Sequence, residues 1–174
     1  MPSVDALPLT LRCECSRWGP TALPSVPVSG QPRFGNGTGF PAPRPWWELF
    51  DYSSRIERKN PVGLIEAWKR AFPVADRTEQ MLFCKTLNGT TARDQRAVVE
   101  AAVGDRTDVT VFDAQLAPDD RDRLMDQFDI VASLHRSEGY GLTLLDAMYR
   151  GIPVIATTYS GNLATPGRCG WCAT

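Results

Sequence analysis

Two carboxylates eight residues apart, Glu138 and Asp146, bracket a segment able to hold an anion. It reads Ser137-Glu138-Gly139-Tyr140-Gly141-Leu142-Thr143, and His135-Arg136 precede it. Before it, residues 129–134 have a buried-strand pattern. After it, residues 142–150 have a helix pattern that Gly151 closes. A strand that runs through a glycine-containing turn into a helix leaves backbone N–H groups free at the helix N-terminus, a ready seat for phosphate. An anion seat flanked by carboxylates suits a ligand with both phosphate and hydroxyl groups, such as a nucleotide sugar.

Further upstream, Arg58 and Lys59 lie past an earlier strand pattern. A cation placed there can meet a diphosphate, the lysine as a point charge and the arginine as a planar fork. His135 is the only histidine, so it makes neither a zinc site nor a serine–histidine pair with the partners visible in the sequence. It either lines the pocket or is a hydrogen-bonded structural residue. Asp120-Arg121-Asp122 spells a D-x-D. It falls in the first turn of a helix pattern, where acids complement the macrodipole, so it is expected to be structural and no metal is expected. Cys169-Gly170-Trp171-Cys172 lacks the following helix that a redox motif needs. Zinc binding together with Cys13 and Cys15 would require two irregular termini to meet. Gly35-Asn36-Gly37-Thr38-Gly39 runs on into Phe40-Pro41-Ala42-Pro43, which suits a flexible linker better than a phosphate loop.

The elements that must position these groups alternate. Strands are expected at residues 46–51, 80–87, 108–112, 129–134 and 153–157. Helices are expected after Asn60, read as an N-cap with Pro61 at the first helical position, and at residues 91–103, 118–128 and 142–150. The first helix carries Leu64, Ile65, Trp68, Ala71 and Phe72 on one face and stops at Pro73. Trp46, Trp47 and Trp68 are expected in the core, and Tyr140 partly exposed. Alternating strands and helices give an α/β fold with a parallel, doubly wound sheet, whose ligands bind beyond the carboxyl ends of the strands. The loops at that edge are residues 52–59, 85–88, 113–116, 135–141 and 158–162, and nearly every candidate residue falls in one of them.

Composition narrows the function classes. The chain has 174 residues and a formal net charge of -1, so it has no basic footprint for nucleic acid. No apolar run is long enough for a transmembrane segment, and the N-terminus does not read as a signal peptide. A cytoplasmic location is therefore expected, with the 5 cysteines free and the sequons at Asn36 and Asn88 accidental. Residues 1–45 are rich in proline and glycine without sustained periodicity and are expected to be irregular. Residues 46–162 form the expected nucleotide-sugar-binding domain, and residues 163–174 an irregular tail.

These motifs resemble the donor site of GT-B glycosyltransferases of the group 1 (family 4) kind. The resemblance rests on Ser137 to Thr143, Asp146-Ala147-Met148, Gly151-Ile152-Pro153-Val154-Ile155-Ala156-Thr157 and Ser160-Gly161-Asn162. Upstream it adds Phe50-Asp51-Tyr52-Ser53, Arg58-Lys59-Asn60-Pro61, Leu64-Ile65-Glu66-Ala67 and Lys85-Thr86. It implies a Rossmann-like sheet, the C-terminal half of a GT-B fold, and sugar transfer from a nucleotide sugar with retention at the anomeric carbon. It implies that Glu138 and Asp146 contact the donor as the catalytic pair, with Asp146 one methylene shorter than the glutamate of the family pattern. Donor binding would fall to Lys59, Arg58, Lys85, Gly139, Tyr140, Gly141, Leu142 and Thr143, and to Ser160, Gly161 and Asn162 beside the sugar. No cofactor is implied, and the acceptor (glycan, lipid or other) is left open. The chain reads as a truncated piece with foreign-looking ends, inactive alone. The alternative function is a non-catalytic nucleotide-binding module or an inactive remnant.

Overall fold

The structure, a computed structural model, describes residues 44–159, residue 161 and residues 171–173. The Gly35–Gly39 segment, Cys13, Cys15, Asn36, Cys169, Ser160 and Asn162 lie outside the described residues. So does all but the end of the segment read as irregular, and Arg44 and Pro45 at that end already belong to the first strand.

Among the described residues the elements follow in this order: β1 (Arg44–Asp51), α1 (Ile56–Lys59), α2 (Pro61–Ala71), β2 (Gln80–Leu87), α3 (Arg93–Val103), β3 (Val109–Asp113), α4 (Pro118–Met125), β4 (Ile130–Ser133), α5 (Leu142–Tyr149), β5 (Val154–Thr157) and β6 (Trp171–Ala173). All strand pairs are parallel, in the order β3-β2-β1-β4-β5-β6. This is the expected Rossmann-like α/β sheet. Its strand order reverses between β1 and β4, the switch point beyond which such sheets bind ligands.

Alternate residues of a strand face opposite sides. On one side Phe50 and Leu82 pack with Ile56 of α1, Leu64, Ile65 and Trp68 of α2, and Val99 of α3. On the other, Trp47, Val131 and Val154 pack with Met125 of α4 and Leu144 and Ala147 of α5. Trp46 and Trp68 meet edge to face, with ring centroids 5.4 Å apart. Both faces are thus covered, so between its charged ends, Arg44 and Asp51, β1 is apolar at every position but one. That position is Glu48, only 1% exposed, whose two carboxylate oxygens have no hydrogen-bond partner among the described residues.

Three local expectations need correction. Residues 52–59 are not wholly a loop, because Ile56–Lys59 forms a helical turn whose first amide donates to Gln95 Oε1 of α3 at 3.2 Å. Asn60 precedes α2 but makes no side-chain cap. Its backbone is left-handed (φ 55°), and its Nδ2 donates instead to the Leu134 carbonyl at 2.9 Å. The tail read as irregular contains β6, which pairs with β5 from Ile155↔Trp171 to Thr157↔Ala173. A three-residue strand has too little pattern to be seen without its partner.

Asn60 therefore joins α1 and α2 to the end of β4. Asn60→Gly should cost about 1 kcal/mol, the worth of the lost hydrogen bond. Asn60→Ala should cost about 1–2 kcal/mol more, because alanine also resists the left-handed backbone. Urea denaturation of both variants checks the order; equal losses would refute the backbone part of this account.

Candidate functional site

The site lies at the switch point, where the loop after β1 meets the loop after β4. The two loops are stitched together by backbone. The amides of Arg136 and Ser137 both donate to the Arg58 carbonyl, at 2.8 and 3.4 Å. Arg58 itself reaches across, with Nη1 donating to Ser137 O at 3.1 Å and Nε to Ser54 Oγ at 3.0 Å. These contacts bring Lys59 against Glu138. The ammonium of Lys59 hydrogen-bonds Glu138 Oε2, and Arg58 Nη1 stands 3.8 Å from the same oxygen.

Glu138 also accepts from the Gly139 amide at Oε1, 3.2 Å, and from the Gly141 amide. Burial works to raise its pKa. The hydrogen bond and charge of Lys59, the Arg58 charge and the Gly141 amide together bring it below the ordinary glutamate value. The carboxylate is therefore ionised at neutral pH and sits beside a cation.

Gly141 supplies the turn into α5. Its backbone is left-handed (φ 76°), it offers no side-chain cap, and the first turn of α5 carries no acid. At this opening of α5 the Gly141 amide is taken by Glu138, from the turn itself. Beside it is a small cleft whose polar lining is Lys59, Ser133, Glu138 and Thr143. Tyr140, in the turn before α5, is 52% exposed, as expected for an aromatic between two glycines. Gly161 closes in on the same loop, its amide donating to Glu138 O at 2.8 Å. A Cβ at Gly161 would stand 1.5 Å from the Gly139 carbonyl oxygen, so only glycine fits that approach.

Other candidates take different places. Lys85 does not line the cleft: it is buried on β2, and its ammonium bonds the carbonyls of Thr86 (2.6 Å) and Ala114. Burial lowers its pKa, partly countered by Asp113. His135 is buried, with Nδ1 3.2 Å from Ser133 Oγ and Nε2 3.2 Å from the Tyr159 carbonyl, which fits its structural reading. Asp146 does not line the cleft either; its Oδ1 accepts from Arg150 Nε at 3.0 Å. Asp122 of the D-x-D pairs with the same arginine at 2.9 Å. Among the described residues no group of acids, histidines and cysteines is placed to hold a metal.

Sequence reasoning passed over Ser133 and Arg150. Ser133 had no signal beyond ending a strand. Arg150 had one, its four-residue spacing from Asp146.

The family model of the glycosyl transferases group 1 matches residues 52–174, more than half of the chain and including the site. The chain belongs to this family. The match runs through the tail to Thr174, so that segment is not foreign to the group 1 pattern, as its composition had suggested. No curated protein sequence matches at a significant level. Among solved structures, the chain is similar to the lipopolysaccharide outer core galactosyltransferase WaaB in its apo form, at 21% identity and a TM-score of 0.55, over 76% of this chain and 36% of that one. It is similar to HepE of Anabaena in complex with UDP and glucose, at 19% identity and a TM-score of 0.59, over 78% and 36%. A UDP-forming α,α-trehalose-phosphate synthase from Burkholderia xenovorans matches at 12% identity and a TM-score of 0.60, over 72% and 32%. At such identities the likeness is one of fold. The chain spans about a third of the length of these structures.

Proposed function

We propose that this chain is the donor-binding part of a group 1 glycosyltransferase that takes a nucleotide-diphosphate sugar. The observation that carries the reading is the Lys59–Glu138 pair at the switch point, beside the N-terminus of α5, whose N-cap residue is a glycine. An arriving donor offers phosphate oxygens to Lys59, Arg58 and the α5 amides, and sugar hydroxyls to Glu138. The protein's contribution is orientation, together with charge compensation for the leaving diphosphate. Asp146, one helical turn along α5, is assigned to the donor's nucleoside side, and Gly161 with its neighbours to the sugar side. Two of the similar structures, one in complex with UDP and one a UDP-forming enzyme, favour uridine diphosphate as the nucleotide to test first.

Calorimetric titration of the chain with UDP, GDP and ADP, and then with the matching nucleotide glucose, tests the reading. Micromolar to low-millimolar binding of one diphosphate, tighter than its monophosphate, is expected, because the second phosphate is the group that Lys59 and the helix amides meet. Binding of none, or equal binding of mono- and diphosphate, would refute it.

A further inference from the structure

We infer that Arg150 is a positioning residue that holds the Asp146 carboxylate in its donor-binding orientation, an inference that rests on the donor reading above. Thr143, Asp146 and Arg150 follow one another at helical spacing of three and four residues, so they share a stripe of α5 and its C-cap. The stripe begins at the cleft, which Thr143 lines, and ends against α4. At that end the guanidinium is committed on all sides. Nε donates to Asp146 Oδ1 at 3.0 Å, Nη1 to Asp126 Oδ1 at 2.8 Å, and Nη2 pairs with Asp122 Oδ2 at 2.9 Å.

A lone aspartate–arginine pair on a helix surface is weak, because both side chains must give up rotamer freedom to form it. Here that freedom is already restricted. Asp122 and Asp126 belong to α4 and its C-cap, so they pin Arg150 from a second element, and its side chain is only 23% exposed. A pinned Nε then fixes Asp146 through one oxygen and leaves the other to be presented to a ligand. Aspartate has a shorter reach than glutamate, so a fixed rotamer matters more to its contact than it would to a longer side chain. Pre-ordering the carboxylate lowers the entropy lost on binding.

The experiment is a double-mutant cycle on the full chain, read as the Kd of the nucleoside diphosphate that binds best among UDP, GDP and ADP. Asp146→Asn should weaken binding about fivefold, and Arg150→Ala about threefold, within the range of coupled neighbours. Arg150→Ala added to Asp146→Asn should cause no further loss, and Arg150→Lys should recover part of the affinity. Thermal melting separates stability from this effect, since an anchor that only joined α4 to α5 would lower the melting temperature and leave the Kd of folded protein unchanged. If Arg150→Ala does not fold, Asp126→Asn loosens the same guanidinium without touching Asp146 and should give a smaller, likewise Asp146-dependent loss. Equal losses in both backgrounds, or tighter binding on freeing Asp146, would overturn the inference alone. An unchanged Kd in Asp146→Asn would remove the donor role of that residue and this inference with it. Failure of the unaltered chain to bind any of the three nucleotides would overturn both the inference and the proposed function.

Discussion

Glu48→Met is expected to stabilise the protein by about 3 kcal/mol near neutral pH, which raises the melting temperature by roughly 10 °C or more for a domain of this size. Glu48 lies in the middle of β1, in register with Cys84 of β2, on the face covered by α1, α2 and α3. Both of its oxygens are buried without a hydrogen-bond partner among the described residues. Burial pushes its pKa up to about 8, against a pull downward from Lys59. The same burial, with Glu48 opposite, raises the Cys84 thiol, so both groups are protonated in the fold at neutral pH.

The unfolded chain ionises Glu48 near its ordinary value of 4.5, whereas the folded chain keeps the proton until about pH 8. Across that window the folded state holds more protons than the unfolded one, so wild-type stability falls as pH rises. Below the window Glu48 contributes no such loss, and above it the loss is complete. Each pKa unit is worth about 1.4 kcal/mol. Methionine is close in volume and has no ionisable group, so its advantage over glutamate should grow by about 3 kcal/mol between pH 5 and pH 8. Glu48→Gln should also remove the pH slope, but it leaves an amide unpartnered and so gains less. Denaturant unfolding of the three proteins at both pH values measures the difference. An advantage that does not change with pH would show that Glu48 is not a buried, protonated acid.

Glu138→Gln and Lys59→Ala should each weaken nucleotide-sugar binding by about tenfold or more, and more than Asp146→Asn does. A hydrogen bond to a charged group contributes about 1.5–3 kcal/mol, and about 1.4 kcal/mol is tenfold in affinity. Glu138 and Lys59 both line the cleft, whereas Asp146 stands off it and is shared with Arg150. Each of the first two also holds the other: Lys59→Ala leaves Glu138 with Arg58 3.8 Å away, and Glu138→Gln leaves the ammonium facing a neutral amide. Calorimetric titration of the three variants provides the ranking. If Asp146→Asn proved the most damaging, or Glu138→Gln had no effect, the roles assigned to these acids would be wrong.

Much of the architecture was legible in the sequence because it is written in short-range signals. The strand at 80–87 matches β2 residue for residue, since its apolar run is bounded on both sides by turn residues. Pro61 at the start of α2, Gly104 after α3 and Gly151 after α5 mark ends through backbone preferences that belong to single residues. Even the sequence's placement of Glu138 before a phosphate-type turn needed only the succession of strand, glycines and helix.

What the sequence by itself determined, then, was an alternating parallel α/β chain with its chemistry gathered at one edge of the sheet. The tertiary structure decided how each polar group is used. It seated Lys59 on Glu138, 79 residues away, but left Lys85 with the carbonyls of Thr86 and Ala114. It turned the Asn60 amide from a cap into a bond to Leu134. It added Asp122 and Asp126 to a helix pair that spacing alone would show as Asp146 and Arg150. It found β5 for β6, and it covered both faces of β1 so that Glu48 had nowhere to reach water. Periodicity and turn chemistry act over a few residues and so are readable along the chain. A hydrogen bond or a desolvation depends on which groups arrive from distant segments, and those become neighbours only when the sheet closes.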